Sequence, residues 1–282
     1  MAEVFDFGAP ATLAIQVRDS TGTLANATAV SCTVTKPDGT TTSLTVTNTA
    51  TGVYSATYAS PPTVGDYLAY WVATGTNADT MYRGFTVSGP PLFELDEFDS
   101  FLGLTADATR AELCRQVAQG LVRADLRQNV TRATYASSFP ILAGPDGYWR
   151  VPLLERPVSA VSSVVVSGDT YVSGTDYTWD GVSPWLRLAS RTFSSDVFRD
   201  VPRATVTYTG GYLVAPAVIR GVALSVAGRA YSNPAGLRSE SIDDYSFTRA
   251  GSDDDLAGVS LTATERRALA PYRIVAGSLV LS

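Results

Sequence analysis

From residue 11 to about residue 88, apolar and polar positions alternate with period two, and no stretch holds a helical period. Leu13, Ile15 and Val17 alternate, as do Val30, Cys32 and Val34, and then Leu44 and Val46. Runs over 53–58, 67–73 and 81–87 follow, rich in Thr, Val and Tyr, which suit a pleated, half-buried surface. Turn formers separate them: Pro37-Asp38-Gly39, Thr51-Gly52, Pro61-Pro62, Gly65-Asp66 and Gly75-Thr76-Asn77. This spacing predicts an antiparallel β-sandwich over 1–88, with Trp71 in its core. Paired prolines in Ser88-Gly89-Pro90-Pro91 stop the last strand and stiffen a linker over 89–92.

Beyond the linker the period changes to that of a helix. Residues 94–102 predict a short helix, and Thr109 with Glu112 has the spacing of a capping box opening a second one, so that helices occupy 94–127. Leu113, Cys114, Val117, Ala118, Leu121 and Ala124 form its expected apolar stripe, with Arg115, Arg123 and Arg127 on other faces. Period two returns over 133–212, with strands expected at 148–151, 161–166, 177–179, 185–188 and 204–208. Pro216 opens a small-residue helix over 216–231 bearing Val218, Ile219, Val222, Ala223, Val226 and Ala230. Thr262 and Glu265 form a second capping box for a last helix over 262–270, which Pro271 ends. An α+β multidomain chain results, with a helical domain over 93–282 that carries an inserted antiparallel β region.

Composition removes whole classes of chemistry. The chain of 282 residues contains no histidine, so Ser-His-Asp and Cys-His catalysis, histidine-ligated zinc and the commonest general base are excluded. Its two cysteines, Cys32 and Cys114, are expected to be buried small hydrophobes in different domains. Lys36 is the sole lysine and has no Walker-type glycine loop before it; dinucleotide fingerprints are absent as well. Asp243-Asp244 and Asp253-Asp254-Asp255 lack the spacing of an EF-hand loop and are expected in solvated loops. Trp149, Trp179 and Trp185 would suit a sugar platform, although in alternating strands they are expected in the core or an interface. No catalytic role and no cofactor are expected. A formal charge of −6 argues against nonspecific affinity for nucleic acid. The first residues lack a basic-then-apolar leader, and no run is apolar enough to span a membrane.

Several motifs, in their order, resemble those of one family. These are Glu155-Arg156-Pro157-Val158 before the run over 161–166, and Val206-Thr207-Tyr208-Thr209-Gly210-Gly211-Tyr212. Tyr231-Ser232-Asn233-Pro234-Ala235-Gly236-Leu237-Arg238-Ser239-Glu240-Ser241 follows, then Asp244-Tyr245-Ser246-Phe247 and the capped helix after Leu261. Over roughly 92–273 the chain resembles the head-to-tail adaptor, or head-completion connector, proteins of tailed phages. Separately, Gly65-Asp66-Tyr67-Leu68-Ala69-Tyr70-Trp71 resembles the late-strand region of bacterial and phage Ig-like domains. The sandwich is not part of a minimal adaptor and reads as an added Ig-like appendage.

The resemblance implies a virion structural protein at the phage neck, assembled in the host cytoplasm into a dodecameric ring. Its expected partners are the portal protein, tail-side neck or tail terminator proteins, and other copies of itself. Genomic DNA would pass through the ring without sequence-specific contact. Arg238, Glu240, Asp243, Asp244, Tyr245 and Phe247 are the candidate subunit interface. Ile274, Leu279, Val280 and Leu281 are the candidate portal-docking tail, whose removal from residue 274 is expected to weaken incorporation and leave the fold intact. A different class stands beside this reading: a carbohydrate- or cell-surface-binding β protein acting through the Ig-like domain.

Overall fold

The computed structural model describes residues 3–144, 146–189, 202–232, 239–242, 245–248 and 259–274, the segments 239–242 and 245–248 by their backbone alone. The chain divides into two compact units, Met1–Pro90 with Arg132–Gly211, and Pro91–Thr131 with Tyr212–Ser282. Chain order alone suggests a break near residue 90; packing groups the inserted β region with the sandwich that precedes it.

The sandwich is present. One sheet has the order β1 (Glu3–Asp6), β8 (Asp79–Ser88), β7 (Gly65–Thr74), β3 (Ala29–Thr35), β4 (Thr41–Leu44). The other has the order β2 (Ala11–Gln16), β6 (Val53–Tyr58), β5 (Val46–Ala50). Period-two alternation does the sorting: Ala11, Leu13 and Ile15 of β2 are buried while their neighbours are exposed. They meet Cys32, Val34, Tyr67, Trp71 and Phe85 from the first sheet in one core. Trp71 is wholly buried, as expected, and the Tyr67 and Phe85 rings stack at 5.0 Å. Two expectations needed correction. Leu44 and Val46 do not share a strand, because the chain leaves one sheet after Leu44 and enters the other at Val46. β1 was not foreseen; it lies parallel to β8, pairing Glu3 with Phe85, a partner far along the chain that no local pattern reveals.

In the inserted region, β9 (Ala133–Pro140), β16 (Arg203–Gly210), β12 (Val158–Val166) and β13 (Asp169–Thr170) make one antiparallel sheet. β10 (Leu142–Ala143), β11 (Trp149–Pro152), β15 (Trp185–Leu188) and β14 (Tyr177–Thr178) make another. Leu153, Val164, Leu186, Leu188, Val206 and Tyr208 fill a core to which the sandwich contributes Val64. The Val64 N–H also donates to the Thr134 carbonyl at 2.8 Å, continuing the backbone pairing from one β region into the other.

The second unit is helical. α1 (Leu95–Leu102) ends at Gly103, whose φ of 70° is open to glycine at little cost. α2 (Ala108–Leu126) is capped by Asp107, whose side chain accepts the Arg110 N–H at 2.8 Å. Thr109 therefore lies inside the first turn, and the expected Thr109–Glu112 box does not form; Glu112 pairs with Arg115 instead, at 2.8 Å. α3 (Ala217–Ser232) packs on α2 with its small residues buried. α4 (Ala263–Leu269) carries the expected capping box of Thr262 and Glu265, then a single 3-10 turn over Ala270–Tyr272.

Candidate functional site

α2 lies against α3 through Ala111, Cys114, Ala118, Val122 and Leu126, whose mostly small side chains let the helices approach closely. The expected stripe straddles two faces. Cys114 and Ala118 belong to the buried one, whereas Leu113 and Val117 are 60% and 48% exposed. Gly120 and Ala124 continue that outer row at helical spacing, so it carries no charge from Leu113 to Ala124. Leu213 and Val214, before α3, and Val218 in its first turn are exposed as well. Scattered single apolar residues on a surface are ordinary, whereas Leu113 and Val117 stand one helical turn apart on the same side of α2.

Polar ties hold the unit in shape. Asp107 donates its N–H to the Tyr231 hydroxyl at 3.0 Å, the Arg110 guanidinium lies 4.5 Å from the Tyr231 ring centre, and Arg110 also donates to the Tyr231 carbonyl. Tyr231, first in the longest family-like motif, thus joins the end of α3 to the start of α2. Arg229 donates to both Glu265 oxygens, at 2.7 and 2.9 Å, and to the Ser260 carbonyl at 2.8 Å. Burial alone would raise the Glu265 carboxyl. The Arg229 hydrogen bonds and charge, with the Thr262 N–H, outweigh it and hold the group below its ordinary range. Arg273 likewise reaches Asp125 at 2.6 Å. None of these ties was legible beforehand, since only folding brings residues so distant in sequence together.

The candidate interface residues divide into two sets. Glu240, Tyr245 and Phe247 belong to a hairpin of β17 (Ser239–Ile242) and β18 (Tyr245–Thr248), in which Glu240 pairs with Phe247 and Ile242 with Tyr245. Arg238, Asp243 and Asp244 lie outside the described residues, as do Asp253, Asp254 and Asp255. Of the candidate tail, Leu279, Val280 and Leu281 lie outside as well. Ile274 is buried, and its N–H donates to the Leu126 carbonyl at 3.0 Å. Removal from residue 274 would therefore strip a core position, against the expectation of an intact fold. The family-like Glu155-Arg156-Pro157 motif is a structural corner. The buried Tyr208 hydroxyl donates to Glu155 and accepts the Leu154 and Glu155 N–H groups, each at 3.3 Å.

Among the described residues there is no group of three or more His, Cys, Asp or Glu side chains fit to hold a metal, and no helix long and apolar enough to cross a membrane. Cys32 is buried, and burial pushes its thiol up to about 11.

No protein family and no curated protein matches the chain. Solved structures resemble parts of it. A chain from the neck of an empty GTA particle aligns at 13% identity over 65% of this chain and 90% of its own length, with a TM-score of 0.41. The Lin-41 filamin domain aligns at 24% identity over 30% of this chain and 82% of its own, with a TM-score of 0.27. A chain of the ZIG-8–RIG-5 IG1–IG1 heterodimer aligns at 13% identity over 31% of this chain and 82% of its own, with a TM-score of 0.21. These are partial likenesses of fold and extend no further.

Proposed function

We propose that this chain is a structural connector of a virion neck, forming a closed ring that joins the portal to the tail and encloses the DNA exit channel. The observation that carries the reading is the uncharged outer row of α2, Leu113 to Ala124, left uncovered in a unit whose Leu213, Val214 and Val218 are exposed as well. A ring subunit needs two different, mutually complementary faces. An apolar helix row exposed on one copy gains stability when a neighbour covers it. The order of motifs from Glu155 to Glu265 supports the family, and the absence of histidine fits a protein with no acid–base chemistry to perform. An acidic chain suits a conduit through which DNA slides without adhering.

Negative-stain electron microscopy of the concentrated protein, alone and mixed with the cognate portal, tests this. Rings, or added density on the tail-facing side of the portal, are expected. Monomers that ignore the portal would sink the reading.

A further inference from the structure

The second sheet of the inserted β region carries a feature that a ring connector does not require. In β15 the alternation buries Leu186 and Leu188 completely and turns Trp185 and Arg187 to the opposite face. Register then assembles a row across that face: Arg150 of β11 lies opposite Arg187, and Thr178 of β14 lies on its other side. Two arginines directly opposed would repel. Asp146 resolves this by pairing with both, Arg150 at 3.1 Å and Arg187 at 2.8 Å, while the Arg187 guanidinium rests 3.8 Å from the centre of the Tyr148 ring.

The turn after β14 is equally well tied. Asp180 accepts the Val182 and Ser183 N–H groups at 3.0 and 2.6 Å, and the Trp179 indole N–H donates to the Ser183 carbonyl at 2.8 Å. Ser183 in turn accepts the Trp185 N–H at 3.1 Å through its hydroxyl. The two arginines, Asp146, Asp180, Trp179 and Trp185, with Thr178 and Ser183, line a cleft of about 310 Å³. Two partly exposed indoles and a set of fixed donors and acceptors therefore face one space before any ligand arrives, which lowers the ordering cost of binding.

We propose that this cleft binds a neutral carbohydrate. Charge selects the class: the lining holds two arginines, both paired with Asp146, and two aspartates, of which Asp180 is held by backbone N–H groups, so it carries no net charge to favour an ion of either sign. Nucleic acid would require excess positive charge. A sugar offers an apolar C–H face to an indole and hydroxyls that both donate and accept, matching guanidinium and carboxylate together. The proposal does not depend on the ring reading, and it lies outside the Ig-like sandwich.

The test places the full-length protein on an array of neutral and acidic glycans. Titrations of tryptophan fluorescence with cellobiose, maltose and N,N′-diacetylchitobiose follow. Binding of at least one neutral glycan is expected, weakened at least about tenfold by Trp179→Ala or Trp185→Ala and partly retained in Trp185→Phe. Melting temperature reports whether each variant folds, and the phenylalanine variant keeps the test meaningful should the alanine variant not. No binding of any neutral glycan at millimolar concentration overturns the proposal, as does binding confined to acidic glycans. Unaltered binding in a folded Trp185→Ala protein overturns the assignment to this cleft.

Discussion

The sandwich and the helical unit solve the same problem, burying an apolar core, by different geometries, and each leaves its own exposed apolar positions. In the sandwich, strand alternation sends one side chain inward and the next outward, so the outward set is rich in Thr, Ser and Asn. Its exposed large apolar residues gather across β7 and β8, where Leu68 lies diagonal to Tyr82 and Tyr70 stacks on Tyr82 at 4.8 Å. In the helical unit the core mixes large residues such as Phe98, Leu126, Ile219 and Leu269 with small ones, and the start of the α2 seam is small. Leu113 and Val117 are exposed while their neighbours Cys114 and Ala118 are buried. A strand that satisfies its core leaves every second residue free to be polar, as in β2, or apolar, as in β7. A helix whose first buried apolar positions are Ala111, Cys114 and Ala118 can carry Leu113 and Val117 on its outer side.

Three variants break or sharpen that contrast. The largest effect is expected for Trp71→Ala, which empties the centre of the sandwich and should cost about 3–5 kcal/mol. Denaturant unfolding followed by separate probes of β and helical structure checks it. The loss should fall on the unit containing the sandwich, and an equal loss in the helical unit would erase the distinction. Next comes Arg229→Ala, which leaves the Glu265 carboxylate without its guanidinium and should cost about 1–3 kcal/mol. Because the Glu265 pKa is depressed in the folded state, its stabilisation is complete above the ordinary value of 4.5 and is lost as pH falls through the lower folded value. Without Arg229, burial dominates, so acid loss of helical signal should move to higher pH. An unchanged acid midpoint would remove Glu265 from the account.

The smallest effect on stability, about 1 kcal/mol, is expected for Leu113→Asp combined with Val117→Asp, because both side chains are about half exposed and the loss is mainly helix propensity and like-charge repulsion. The same variant should reduce ring formation on the portal at least about tenfold by electron microscopy or sedimentation. Leu68→Asp in the sandwich is its control and should leave assembly unchanged. Equal effects from the two would show that the outer row of α2 is not special.

Legibility followed the range of the interactions. The Thr262–Glu265 box was readable because both partners lie within one turn. The box expected at Thr109 failed because Asp107, two residues earlier, offers a carboxylate at a position of extended backbone and claims the cap first. Both tryptophan-bearing strands, β11 and β15, were expected within a residue of where they form. Their register was not, and register alone sets Arg150 against Arg187.

Period and composition by themselves determined an α+β chain, the sandwich, the helices, the burial of Trp71, and the lack of histidine chemistry. These rest on local geometry: a strand shows its faces every second residue and a helix every three to four, whatever surrounds them. Only the tertiary structure decided that the inserted β region packs with the sandwich, that Ile274 belongs to a core, and which face of α2 remains open. Those outcomes depend on which of two similar faces finds a partner, a choice made by residues far apart in the chain.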